Sequence, residues 1–168
     1  PWTIGDLKIK NRVVMAPMST HMVGRQGRIT PAPIAHLSSR ARGGCGMIIL
    51  ESATVEPDYS DSGNCLAFHD GDIKNSTRLI NDLHKSGAKV VAQLWHAGPR
   101  AKPADGASAC SNANTLTLSE IDRIIDLFVE AGKQAVRRGV DALEIHAAHG
   151  YLLHHFVDRE INRRNDAY

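Results

Sequence analysis

The feature that most constrains this chain is an alternation of short apolar segments with longer amphipathic ones. Four stretches, "RVVMAPM" (12–18), "GMIILESATV" (46–55), "KVVAQLWHAG" (89–98) and "ALEIHAAHG" (142–150), are short, lack a polar face and are rich in branched aliphatic residues. Such segments read as strands buried on both faces. Between them lie three helical patterns. "TPAPIAHLSSRARGG" (30–44) opens with Thr30 as N-cap and Pro31 at the first helical position, and stops at Gly43 or Gly44. "DIKNSTRLINDLHKSG" (72–87) groups Ile73, Leu79, Ile80 and Leu83 on a buried face and ends at Gly87. "TLSEIDRIIDLFVEAGKQAVRRG" (117–139) pairs Thr117 with Glu120 as a capping box, and Ile121, Ile124, Ile125, Phe128, Val129, Ala135 and Val136 form one apolar stripe.

A strand–helix alternation implies a parallel sheet with right-handed crossovers, built as an open doubly wound sheet or as a (β/α)8 barrel. The glycine-rich nucleotide loops of the open sheet follow none of the four strands. Polar residues instead gather at the C-terminal end of every strand: Ser19, Thr20 and His21, then Glu51 and Ser52, then Gln93 and His96, then His146 and His149. That rim is where a barrel carries its chemistry. A complete barrel takes about 250 residues, so the 168 residues with four strands predict the N-terminal half of a TIM barrel. The expected organisation is one partial domain over 1–168, ending after strand 4.

Hydrophobic residues at 42%, charged residues at 23% and a formal charge of +2 suit a globular chain with no basic stripe for nucleic acid. Cys45, Cys65 and Cys110 are odd in number and widely spaced, so neither a disulfide framework nor a zinc site is expected. No apolar run approaches the ~20 residues of a membrane span. The expectation is a cytoplasmic protein without a membrane partner.

The densest chemistry lies in "EIHAAHGYLLHHF" (144–156). His146 and His149, three apart, can converge on one substrate atom. The competing readings are a metal pair or two satisfied polar residues; the metal reading lacks the carboxylate that metalloprotease helices supply, and no metal is expected. Tyr151 can reach the same pocket, and a phenol that stays protonated at pH 7 suits a proton donor to a basic carbanion; its alternative is interelement packing. His154 and His155 read as surface or packing residues. Gln93, inside an apolar strand, must find partners for its amide, whether a bound heterocycle, backbone or water. Ser19 and Thr20 are equally able to bond a ring carbonyl or to cap a turn.

Four segments in order, "NRVVMAPMS", "VVAQLWHAG", "EIHAAHGYLLHHF" and "NRRNDAY", closely resemble the Old Yellow Enzyme family of flavin-dependent ene reductases, along essentially the whole chain. The resemblance implies a (β/α)8 barrel carrying FMN at the C-terminal rim, with NADH or NADPH as electron donor and an alkene activated by a carbonyl or nitro group as the small-molecule substrate. It implies that His146 and His149 bind the activating oxygen and that Tyr151 delivers the proton. It further implies that Gln93 bonds the pyrimidine edge of the flavin, that Ala16, Pro17, Met18 and Ser19 line the ring, and that Arg100 stands near the cofactor.

The loop 99–117 is shorter than in the family, and His21 stands where some members place an aromatic residue. The flavin phosphate site after strands 7 and 8 falls to a C-terminal half, in the same precursor or another chain. Two alternatives share the sequence evidence: an amine dehydrogenase on the same barrel, and a non-catalytic half-barrel that self-associates or serves as a structural subunit.

Overall fold

The computed structural model describes residues 1–57, 65–68, 72–102 and 112–168. Its centre is a parallel sheet whose strands lie side by side in chain order. β3 (Val14–Met15) pairs with β4 (Met47–Ile49). β4 and β5 (Ala53–Thr54) both pair with one side of β6 (Lys89–Trp95), and β7 (Ala142–Ile145) pairs with the other. Consecutive order without reversal is the winding of a barrel. A doubly wound sheet would turn back on itself at a switch point.

The predicted strand over 46–55 is two short ones. β4 and β5 keep the same neighbour, β6, and the break falls at 50–52, where Glu51 and Ser52 enter polar contacts at the rim. The first predicted strand shortens to Val14–Met15, and Ala16–Thr20 lead away from it without strand pairing.

The three helices form where the apolar periodicity put them: α1 (Pro31–Arg42), α2 (Ile73–Lys85) and α3 (Leu118–Arg137). The α3 capping box is complete, Thr117 accepting from the Glu120 N–H while the Glu120 side chain accepts from the Thr117 N–H. Thr30 occupies the N-cap of α1, but its hydroxyl donates to the Met22 carbonyl at 2.8 Å and not to the helix. A short α4 (Leu152–Val157) follows β7.

One sheet face packs on the helices. Ile48, Leu50, Val90, Ala92 and Leu94 meet Leu37 and Ala41 of α1, Leu79, Ile80 and Leu83 of α2, and Ala131 and Ala135 of α3. Each fully buried Leu or Ile there stabilises the fold by roughly 1.5–3 kcal/mol.

One assignment is corrected: Ile73 is exposed; Ile125, Val129 and Val136 of the α3 stripe are exposed too. Periodicity groups residues on a stripe, and the neighbouring elements here cover only part of each stripe. Leu143 and Ile145 on the helix-facing side of the edge strand β7 are exposed as well.

An antiparallel hairpin, β1 (Trp2–Ile4) and β2 (Leu7–Ile9), precedes the sheet. Its two-residue turn places Gly5 at φ 56°, a left-handed conformation that glycine adopts freely. Ile9 packs with Met47 and Val91, closing the interior at the N-terminal ends of the strands. At the same end, the Asp141 carboxylate accepts from Lys89 Nζ at 2.7 Å and the Val90 N–H at 2.8 Å, and contacts His84 Nε2 at 2.7 Å. Burial opposes its charge, but these partners outweigh that effect and hold its carboxyl below the usual aspartate value.

Among the described residues, no helix is long and apolar enough to cross a membrane, and no three His, Cys, Asp or Glu side chains gather as a metal site. Cys110 and residues 103–111 of the 99–117 loop lie outside the described residues.

Candidate active site

Period-two alternation decides what reaches the interior. On β6, Val91, Gln93 and Trp95 share the face opposite Val90, Ala92 and Leu94. The register sets Gln93 beside Glu144 of β7. Gln93 Nε2 donates to Glu144 Oε1 at 2.5 Å, and Ser52 Oγ donates to Gln93 Oε1. The buried amide is thus fixed in orientation from both sides. An amide has two N–H donors and two acceptor lone pairs, so one of each remains.

Beyond β3, Ala16, Met18 and Ser19 are exposed at the rim and Pro17 is half-buried. The next residue is tied down: Thr20 N and Oγ1 donate to the two oxygens of Glu51 at 3.0 and 3.1 Å. Of the two neighbouring hydroxyls, Ser19 faces solvent while Thr20 serves Glu51.

The segment after β7 assembles the histidines and the tyrosine. His146 N donates to the Leu94 carbonyl at 2.9 Å, extending the β6–β7 ladder by one residue. The chain then turns. Tyr151 N donates to Ala148 O at 3.3 Å, and the residues between, His149 at φ 61° and Gly150 at φ 75°, are both left-handed. The glycine takes this conformation freely; His149 takes it at a cost of about 1–2 kcal/mol.

The turn folds Tyr151 back over β6. Its ring meets Trp95 with centroids 4.5 Å apart, and His146 lies 5.3 Å from Tyr151 and 5.5 Å from His149. Trp95 is buried and donates Nε1–H to the Ser52 carbonyl at 3.1 Å. Burial, and then the neighbouring His149, push the His146 imidazole below its ordinary value against the pull of Glu144. These effects favour the neutral imidazole, which presents one N–H donor to whatever it faces.

Arg100, in the short turn Gly98–Arg100, donates to the His149 carbonyl at 2.7 Å, and its guanidinium lies 5.3 Å from the Tyr151 ring centroid. The expected Tyr151, His146, His149 group is therefore one cluster, with Arg100 beside it and Gln93 two residues below Trp95 on the same strand. Ala16–Ser19 stand on the far side of the rim, at the end of β3. His154 and His155 lie on α4, and His154 Nε2 is 3.4 Å from Asp158.

Sequence reasoning missed Glu144, Trp95, Glu56 and Arg123 as contributors. The alternation in "AQLW" and "LEIH" was a usable signal for Trp95 and Glu144, because it puts each on the same face as a recognised residue.

The sequence profile of the NADH:flavin oxidoreductase / NADH oxidase family matches residues 1–168. The chain belongs to this family. It is 37% identical over 183 residues to the NADPH dehydrogenase of Bacillus velezensis, covering 100% of this chain and 53% of that enzyme. It is 36% identical over 180 residues to the NADH oxidase of Thermoanaerobacter brockii, covering 98% of this chain and 28% of that one. The crystal structure of Old Yellow Enzyme from Pichia sp. AKU4542 superposes with a TM-score of 0.87 at 25% identity, over 99% of this chain and 50% of that one.

The chain spans about half the length of the NADPH dehydrogenases it matches. The parallel sheet of β3 to β7 is thus half of a flavin-oxidoreductase barrel. Enzymes of the NADH:flavin oxidoreductase family carry FMN and use NADH or NADPH.

Proposed function

We propose that this chain is the N-terminal half of an FMN-dependent reductase that saturates the C=C bond of alkenes activated by a carbonyl group, such as enones and enoates, with electrons from NADH or NADPH. The observation that carries the reading is the cluster of His146, His149 and Tyr151 above the buried Trp95 at the C-terminal rim of the sheet.

The residues present fit the ring of a flavin. The donor and the acceptor left on Gln93 match the adjacent carbonyl and N–H groups of the pyrimidine edge, and Ser52 and Glu144 keep that amide from rotating. Exposed Met18, 63% accessible, with Ala16 and Pro17, gives an apolar platform, and Ser19 adds a hydroxyl. Arg100 retains guanidinium donors beyond the one given to the His149 carbonyl. FMN, when bound, supplies the hydride.

The chain's own residues do the rest. His146 and His149 donate N–H groups to the carbonyl oxygen of the alkene, where negative charge grows as the β-carbon accepts hydride. A neutral His146 suits this role, since it binds a neutral carbonyl without an ion to desolvate. Tyr151 transfers its phenolic proton to the α-carbon, and Trp95 underneath excludes water and sets the tilt of that ring. The phosphate of the cofactor is left to loops of a C-terminal half, and the whole enzyme works in the cytoplasm.

The test uses the full-length protein loaded with FMN. After anaerobic reduction by NADPH, addition of 2-cyclohexenone should restore the oxidised flavin spectrum and yield cyclohexanone in equal amount. Reoxidation by oxygen alone, with the enone recovered intact, would overturn the reading.

A further inference from the structure

A buried histidine outside this cluster has every hydrogen-bonding group of its ring and its carbonyl in use. His96, 2% exposed, follows Trp95 at the end of β6. Its Nδ1 accepts the Gly98 N–H at 3.0 Å, which fixes the tautomer: Nε2 carries the proton and donates to Glu56 Oε2 at 2.8 Å. Its carbonyl accepts from Leu152 N, the first residue of α4, at 3.2 Å. Burial opposes charge on Glu56, but hydrogen bonds from His96 and from Arg123 of α3, the latter at 2.6 Å, outweigh it and hold the carboxyl below its ordinary value.

Through its ring, its carbonyl and the Glu56 carboxylate, His96 joins the segment after β5, helix α3, the Gly98–Arg100 turn and the start of α4. That turn is seated directly on α4. A Cβ at Gly98 would stand 2.8 Å from Leu152 N and Cα. Arg100 then projects from the turn onto the His149 carbonyl and over the Tyr151 ring.

We propose that His96 is a positioning residue for the reduction: its Nδ1, oriented by Glu56, sets the Gly98–Arg100 turn and so the angle at which Tyr151 and the His149 carbonyl are held. This rests on the reading of Tyr151 as proton donor.

The experiment uses the full-length, FMN-loaded protein and four variants: His96→Gln, Glu56→Gln, Tyr151→Phe and the double variant His96→Gln/Tyr151→Phe. Gln at 96 can still donate towards Glu56 but offers no acceptor where Nδ1 stood. Glu56→Gln is isosteric, and the amide N–H it can turn towards Nε2 competes with the Gly98 N–H in setting the tautomer of the ring. Nitrogen-15 NMR of histidine-labelled protein should show the parent His96 protonated at Nε2, with a mixed tautomer in Glu56→Gln.

Reduction of the flavin by NADPH should stay within about twofold in His96→Gln and Glu56→Gln. Reoxidation by enone should slow by about 5–30-fold in His96→Gln and less in Glu56→Gln, short of the roughly 10²–10⁴ lost when a positioned general acid is removed. The double variant should be no slower than Tyr151→Phe alone, because His96 acts through that phenol. Multiplicative effects in the double variant, equal slowing of both half-reactions, or an unchanged rate in His96→Gln and Glu56→Gln would each overturn the proposal. If Tyr151→Phe itself is unimpaired, the fault lies in the assignment of the proton donor.

Discussion

The Tyr151 ring stands edge-on to Trp95, centroids 4.5 Å apart and planes inclined at 67°, although 56 positions of sequence separate them. Trp95 is in turn fixed by its bond to the Ser52 carbonyl. Replacing it should therefore act on stability and on the site together. Trp95→Ala should cost about 3–5 kcal/mol, as large aromatic deletions in cores do. Trp95→Phe, which keeps a ring under Tyr151 and loses one hydrogen bond, should cost about 1 kcal/mol. Urea unfolding of the full-length protein measures both.

The two rim histidines should separate substrate binding from flavin binding. His146→Ala and His149→Ala should each weaken binding of a phenolic or enone ligand by about 1.5–3 kcal/mol, the worth of a hydrogen bond to a charged or developing anionic oxygen. FMN should remain bound, because neither imidazole is needed for the Gln93 contacts. Ligand titration followed by flavin absorbance reads the effect; affinity unchanged from the parent in both variants contradicts the assignment.

Two glycines with similar backbone angles should respond differently to alanine. At Gly150, φ 75°, a methyl group would enter open space with nothing within 4 Å, so Gly150→Ala should cost only the strain of a left-handed residue, about 1–2 kcal/mol. Gly98, at φ 57°, would drive its Cβ into the Leu152 backbone. Gly98→Ala should cost roughly 2–5 kcal/mol, strain and overpacking combined. Thermal unfolding of the two variants gives the comparison.

Much of the fold is legible in the sequence, and the remainder escapes for identifiable reasons. Local patterns carry the helices: Pro31 after Thr30 and the Thr117–Glu120 box mark boundaries that the structure keeps. The β1–β2 hairpin is not among the strands that apolar runs reveal, although Gly5-Asp6 between "WTI" and "LKI" is a two-residue turn signal. The exposure of Ile125, Val129 and Val136 escapes the pattern, because periodicity shows which residues share a stripe and not how far the neighbouring elements extend over it. The Glu56–His96–Arg123 link joins residues 40 and 67 positions apart, and no local pattern encodes such a contact. The polar rim is visible as a collection; its pairings need the register of β6 against β7.

The closed end of the half-barrel should show its chemistry in acid. Asp141 is ionised in the fold below its ordinary pKa, held by Lys89, the Val90 N–H and His84 against the effect of burial. Its stabilisation is therefore complete above about pH 4, the ordinary carboxylate value, and is lost as pH falls through the lower folded-state value. Asp141→Asn should destabilise the protein by about 2 kcal/mol at pH 7. The difference between parent and variant should shrink below about pH 4. Denaturation midpoints across roughly pH 2.5–7 test this, and a gap that stays constant to the acid end contradicts it.

The central claim is that Tyr151 gives the proton to the α-carbon, and Tyr151→Phe tests it most directly because it removes one oxygen and keeps the ring against Trp95. In full-length protein loaded with FMN, stopped-flow absorbance separates the half-reactions. Flavin reduction by NADPH requires no phenol and should be nearly normal, and oxygen should still reoxidise the reduced enzyme. Reoxidation by an enone should slow by about 10²–10⁴, the usual worth of a positioned general acid. A rate within about threefold of the parent, far inside that range, would make Tyr151 a packing residue of Trp95 and contradict the account.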